Sequence, residues 1–309
     1  MIDLFSSDLR PMQYWDIQVE DKLTQWESGI VEGFSTGFPA LDAYMRLIDT
    51  EFTLVAARPS MGKTSLAMQI AENVARRIAS EKTNETVAVF SAEMSGTELY
   101  IRMTSALAGV NAHKLRNGKG TKDEFASFKD AKNRLRTLPI WIDDGNRPTT
   151  NSMLAQIERL NETNRVKLMV FDFLELGGES AQKEDIRIST IAQNLKALAK
   201  TLGIPVIALS QLNRDVDKRA NKIPELSDLR YSGMLEQIAD KVAFIMRPEY
   251  YLERNMTVAD IPTEDERGVA YVLIAKNRNG PVGLTKLAFV KDRSMFANLE
   301  RKRHDLNDY

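Results

Sequence analysis

The chain has 309 residues, 43% hydrophobic and 28% charged, which is the composition of a globular protein rather than a disordered one. Its net charge of -1 excludes a bulk polycation, but leaves room for nucleic-acid binding through a local cluster of cations. With no Cys, and only His113 and His304, disulfides, thiol catalysis, zinc fingers, iron–sulfur clusters and multi-His metal sites drop out together. No run of 18 apolar residues occurs, so no membrane span or membrane partner is expected. The N-terminus lacks the basic and apolar regions of a signal peptide, and a cytoplasmic location is the expectation.

Trp15, Val19, Leu23 and Trp26 recur at helical spacing, so an amphipathic helix is predicted between Pro11 and Gly29. One helix cannot bury two indole rings against itself. It docks either on its own core or on another subunit, and residues 1–30 are set apart as a linker or arm. Residues 31–309 read as one domain. From residue 33, strands at Thr53–Ala57, Val87–Ala92, Ile140–Asp143, Leu168–Phe173, Pro205–Gln211 and Lys241–Arg247 alternate with helical stretches. The helices are expected at Gly62–Ser80, Ser95–Ala108, Thr150–Asn161 and Ile186–Leu202. That alternation predicts an α/β fold, a mainly parallel sheet with helices on both faces. Two last strands, Val269–Arg278 and Leu284–Val290, are joined by a turn too short for anything but an antiparallel C-terminal hairpin. The polar, charge-rich stretches 175–186 and 213–230 read as long connections, of the kind that is either functional or mobile.

The strongest local signal is Ala57-Arg-Pro-Ser-Met-Gly-Lys-Thr64, between an apolar strand and an apolar helix. This is the Walker A pattern of a P-loop, with Ala57 in place of its first Gly. Ser60, Met61, Gly62, Lys63, Thr64 and Ser65 are the expected nucleotide-binding residues. The loop aims backbone N–H groups at phosphate, and Gly62 permits close approach. Lys63 reaches the β- and γ-phosphates, and the Thr64 hydroxyl is a ligand for Mg²⁺. Leu168-Met-Val-Phe-Asp172 fits the companion Walker B strand, with Asp172 at the Mg²⁺ shell. Glu93, ending another apolar strand, is placed either to activate water or to serve as a helix N-terminal acid. ATP and Mg²⁺ are the expected substrate and cofactor.

These motifs, with others in order, resemble the RecA-like motor domain of DnaB-family replicative helicases over about residues 30–300. The further motifs are Phe90-Ser-Ala-Glu-Met94, Phe171-Asp-Phe-Leu-Glu-Leu176, Leu195–Lys200, Pro205–Arg214, Ser227-Asp-Leu-Arg-Tyr-Ser-Gly233 and Lys276-Asn-Arg-Asn-Gly-Pro281. The resemblance implies a hexameric, ATP-driven helicase that moves on single-stranded DNA and unwinds duplex at a replication fork. It implies Glu93 as catalytic base and Asp172 as Walker B acid. It implies Gln211 as γ-phosphate sensor, with Lys276 and the arginine finger Arg278 reaching a neighbouring subunit's nucleotide. Spacing alone reads Lys276-Asn-Arg278 as a solvated strand face. Asn213–Gly233 matches the family's DNA-facing loop, with Arg214, Arg230, Tyr231 and Gly233 the expected DNA contacts.

Where Tyr231 stands the family commonly has Glu, and its usual Asp-Tyr-Leu-Gln is here Asp172-Phe-Leu-Glu175. Family members usually carry an N-terminal collar that contacts primase. Here about 30 residues precede the motor, matching the family's linker helix. A primase or a helicase loader is an expected partner. A RadA- or RecA-like recombination motor shares the core, but RadA's zinc motif needs Cys. A non-unwinding ATP-dependent assembly protein of DNA replication is the rival from another class.

Overall fold

A computed structural model of the chain describes residues 9–230, 232–254 and 266–299. The first helix, α1 (Met12–Glu27), starts behind Pro11 and buries none of its residues. Trp15 and Trp26 are about half exposed, at 47% and 48%. The helix therefore does not dock on its own core. A short turn, α2 (Pro39–Asp42), leads into β1 (Phe52–Ala57), and α3 (Lys63–Glu81) follows. Next come β2 (Glu85–Ser91), α4 (Gly96–Ala108), α5 (Ala112–Arg116), α6 (Lys122–Leu135), β3 (Ile140–Asp143), α7 (Thr150–Asn161) and β4 (Arg165–Asp172). The order continues with α8 (Glu184–Leu202), β5 (Val206–Gln211), α9 (Ser232–Ile238), β6 (Lys241–Met246), α10 (Pro248–Leu252), β7 (Val269–Asn277), β8 (Gly283–Val290) and β9 (Met295–Ala297).

Helix starts follow the cap chemistry of the sequence. Ser95 accepts from the Glu98 N–H ahead of α4, and Thr121 with Glu124 forms a reciprocal capping box on α6. The strands form one sheet in the order β3-β2-β4-β5-β1-β6-β7-β8-β9. Pairing is parallel from β3 through β6 and antiparallel from β6 through β9. The expected hairpin is thus a three-stranded meander, because Met295–Ala297 pairs with the end of β8.

Successive side chains of the central strands enter opposite cores, as a strand's period of two requires. From β1, Val55 and Ala57 pack with α3 residues such as Leu66 and Ile70. Phe52, Leu54 and Ala56 pack with α7 and α8 residues such as Ile157 and Leu195. Both faces are covered, so the C-terminal edge of the sheet is the place for a polar site.

The opposite edge carries a brace of buried charge. Lys241 pairs with Glu51, each under 5% exposed, and Lys241 also donates to the Arg46 carbonyl at 2.8 Å. Asp240 accepts from the Phe52 N–H at 2.8 Å and from Lys196 Nζ at 2.6 Å. These bonds fix where β6 starts beside β1, and so fix the register of β7.

Candidate nucleotide site

The chain leaves β1 at Ala57 and turns through residues 58–62 before α3 begins. Ser60 and Gly62 have φ of 66° and 97°. At Gly62 a Cβ would sit 2.9 Å from the Phe296 ring and 3.0 Å from the Phe289 ring, so packing and backbone both demand glycine. The first N–H groups of the 19-residue α3 open toward the cleft, a site suited to an anion.

Lys63 Nζ donates to the Ser210 carbonyl at 3.0 Å and lies 5.0 Å from the centre of the Phe173 ring. Burial holds its pKa below the ordinary lysine range, against the opposing pull of the Glu175, Asp172 and Glu93 carboxylates. Thr64 Oγ1 donates to Asp172 Oδ2 at 2.7 Å. The other carboxylate oxygen, Asp172 Oδ1, is buried without a hydrogen-bond partner. Burial pushes the Asp172 carboxyl up to about 6, although the Thr64 bond and the Lys63 charge pull it down.

Parallel pairing sets Ser91 beside Asp172, and the Ala92 N–H donates to the Asp172 carbonyl at 2.7 Å. Glu93 is thereby carried to the same cleft, exposed and just ahead of α4. Gln211 ends β5 opposite Ala57. Its N–H donates to Glu175 Oε1 at 2.8 Å, and the Ser210 hydroxyl donates to the same oxygen at 2.8 Å. The cleft of about 1000 Å³ is lined by Ser60, Met61, Gly62, Lys63, Thr64, Ser65, Glu93 and Gln211, and also by Tyr250, Arg254 and Arg293. The structure thus brings together Glu93, Lys63, Gln211, Thr64 and Asp172. An unpartnered acidic oxygen beside a hydroxyl suits a hard cation that draws its remaining ligands from phosphate and water.

Lys276 and Arg278 are not in this cleft. Lys276 pairs with Val242, whereas Ala57 pairs with Ile245 on the same strand, so Lys276 lies at the far edge of the sheet. Lys276 Nζ donates to the Glu236 carbonyl at 2.5 Å. Arg278 donates to the Gln237 carbonyl and lies 3.4 Å from Asp240 Oδ1. Burial lowers the Lys276 pKa, and the Arg278 charge acts the same way.

Within the 213–230 connection, three cations are already engaged. Lys218 pairs with Asp215, Arg219 pairs with Asp228, and the buried Lys222 donates to the Asp217 carbonyl at 2.6 Å. Arg214 and Arg230 are exposed and hold no hydrogen bond or ion pair among the described residues. Gly233 opens on free space, and Tyr231 lies outside the described residues.

Three residues of the site escaped pattern reading. Glu175 stood out only as an added charge, and it braces the end of β5. Arg58 sits inside the loop itself. Arg247, at the end of β6, donates to the Ser60 carbonyl at 3.1 Å and lies 3.8 Å over the Phe289 ring, with nothing in its surroundings to mark it in sequence.

A phosphate cradle at the C-terminal edge of a mainly parallel sheet, with the acid-ended β4 separated from β1 by β5 alone, defines a P-loop core of the RecA-like class. The family described as DnaB-like helicase C terminal domain matches residues 33–298, and the chain belongs to it. The replicative DNA helicase DnaB of Geobacillus stearothermophilus is 41% identical over 278 residues, covering 89% of this chain and 58% of that protein. The replicative DNA helicase DnaC of Bacillus subtilis is 39% identical over 295 residues, covering 94% of this chain and 62% of its own length. The chain therefore spans about three fifths of these relatives. A solved ATPase domain superposes with a TM-score of 0.82 at 32% identity, covering 95% of this chain and all 100% of that one. A DnaB-like replicative helicase, solved in a study of its interactions with primase, gives 0.80 at 32% identity over 96% of this chain and 68% of that one.

Proposed function

We propose that this chain is the motor of an ATP-driven hexameric DNA helicase that translocates on single-stranded DNA and separates duplex at a replication fork. The observation that carries this reading is the convergence of Lys63, the Thr64–Asp172 pair and Glu93 in one cleft. The names of its relatives support the DNA substrate, and the solved neighbour's title supports a primase partner. A cytoplasmic location fits; no described helix is long and apolar enough to cross a membrane.

Each residue has a role that follows from its chemistry. The loop N–H groups and Lys63 bind the β- and γ-phosphates of ATP and oppose their charge in the transition state. Thr64 and Asp172 would hold Mg²⁺, which screens phosphate charge when bound. Glu93 accepts a proton from the attacking water as its oxygen bonds to the γ-phosphorus and ADP leaves. Gln211 senses the γ-phosphate from the end of β5.

Lys276 and Arg278 act in trans. Their distance from their own Lys63 across the sheet supports a role at a neighbour's nucleotide. Hydrolysis then depends on ring assembly. A 16-residue helix with no buried residue is marginal in water, so α1 is the arm that docks on the next subunit. Arg214, Arg230, Gly233 and Tyr231 contact DNA. Two free arginines per subunit are a modest anchor, and a ring multiplies them around one strand.

Unwinding of a forked duplex under ATP tests the reading, with Lys63→Ala as the inactive control. Strand separation that needs ATP and Lys63 supports it. Hydrolysis without strand separation would favour the ATP-dependent assembly protein.

A further inference from the structure

Arg58 opens the phosphate loop but spends its donors on the neighbouring connection. Its Nε and Nη2 both lie 2.8 Å from Asp217 Oδ2, and Nη1 donates to the Leu212 carbonyl at 3.0 Å. The side chain is buried. Asp217 closes the helical turn Arg214–Asp217, which begins two residues after Leu212. Its second oxygen accepts from the Tyr251 hydroxyl at 3.3 Å. Burial and the nearby Asp217 carboxylate raise the Tyr251 pKa, so that hydroxyl stays a donor.

The network continues toward the free arginines. The Asp217 carbonyl accepts from Lys222, which also donates to the Arg219 carbonyl, and Arg219 grips Asp228 at 2.7 Å. Asp228 lies two residues before Arg230, and its carbonyl accepts from the Asn213 N–H at 2.9 Å, next to Arg214. The path from residues 58–62 to both exposed arginines is a continuous set of buried or half-buried polar contacts. In such surroundings the parts move together, because an unpaired guanidinium or carboxylate is costly.

We propose that Asp217 is a positioning residue that, through Arg58, ties the conformation of the phosphate loop to the Arg214 and Arg230 contacts, so that nucleotide occupancy sets the affinity for single-stranded DNA. The inference rests on the reading of the 213–230 connection as DNA-facing. Linkage makes the effect reciprocal in binding: DNA must tighten nucleotide by the same factor by which nucleotide tightens DNA.

The test is binding of a fluorescent oligothymidine to the full chain, with and without a non-hydrolysable ATP analogue. In the wild type the analogue should tighten binding at least about fivefold, the lower end of ordinary allosteric coupling. In Asp217→Asn the tightening should be lost, while the nucleotide analogue and the oligothymidine each still bind when added alone. A merely structural role would lower the melting temperature and leave the ratio intact. Tyr251→Phe removes one bond to the same carboxylate. It should shrink the ratio in part, and it serves where the Asn variant does not fold. Wild-type tightening retained in both variants would overturn the inference, as would a wild type that binds both ligands with no coupling. A wild type that binds no single-stranded DNA in either state would overturn the DNA-facing reading itself, and the inference with it.

Discussion

Replacing Asp172 by Asn should stabilise the metal-free, nucleotide-free protein even as it removes activity. Burial raises this carboxyl from 3.8 to about 6. That difference means the folded state tolerates the neutral form better than the charged form by about 3 kcal/mol. The sign follows from linkage. The folded pKa is the higher one, so the penalty is fully present above pH 6 and disappears as pH falls toward 3.8. Asn removes the charge, keeps an oxygen for Thr64 Oγ1 and has nearly the same volume. In a protein of this size, about 3 kcal/mol corresponds to roughly 5 °C in melting temperature. The assay is urea and thermal denaturation of both proteins at pH 7 and pH 4.5, in chelator and without nucleotide. The variant should be the more stable at pH 7, with most of its advantage gone at pH 4.5. A variant equal to or weaker than wild type at pH 7, or an advantage independent of pH, would refute the reasoning. Such a site trades fold stability for a charge that function requires.

Arg278→Ala should spare ATP binding and lower steady-state hydrolysis by a factor on the order of 10³, the usual worth of a finger supplied in trans. Isothermal titration and turnover on the same preparation check it. Trp15→Ser with Trp26→Ser should leave monomer unfolding within about 0.5 kcal/mol, since neither ring is buried in the chain, and should weaken assembly in sedimentation velocity. Lys241→Met should cost about 3–5 kcal/mol in urea denaturation, because it strands the buried Glu51 carboxylate, and adding Glu51→Leu should recover most of that loss.

The sequence announced its fold wherever local chemistry decides the outcome. Apolar runs of five to eight residues between helices read as strands buried on both faces, and the short 279–283 turn could only join antiparallel neighbours. The strand bounds shifted by up to three residues, and two strands end a residue early, at Ser91 and Asp172, where the backbone leaves the ladder to build the cleft. The β9 strand was not legible, since three residues carry no periodicity. The phosphate loop was legible because its glycine, lysine and hydroxyl are contiguous. The meeting of Thr64 with Asp172, 108 residues apart, could be read only because Asp172 ends an apolar strand. Nothing comparable marks Arg58 and Asp217, 159 residues apart, or Glu175 against the end of β5. Their pairing depends on how strands neighbour one another, which no local pattern encodes. The stripe of Trp15 and Trp26 was visible from the start. The fold leaves both rings about half exposed, with no residue of α1 buried.

ATP hydrolysis at ring-forming protein concentration, with and without single-stranded DNA, tests the central claim most directly. A motor whose phosphate site and DNA loop are joined should turn over several times faster with DNA, and Lys63→Ala should abolish both rates. Hydrolysis that depends on Lys63 but ignores DNA would contradict the account.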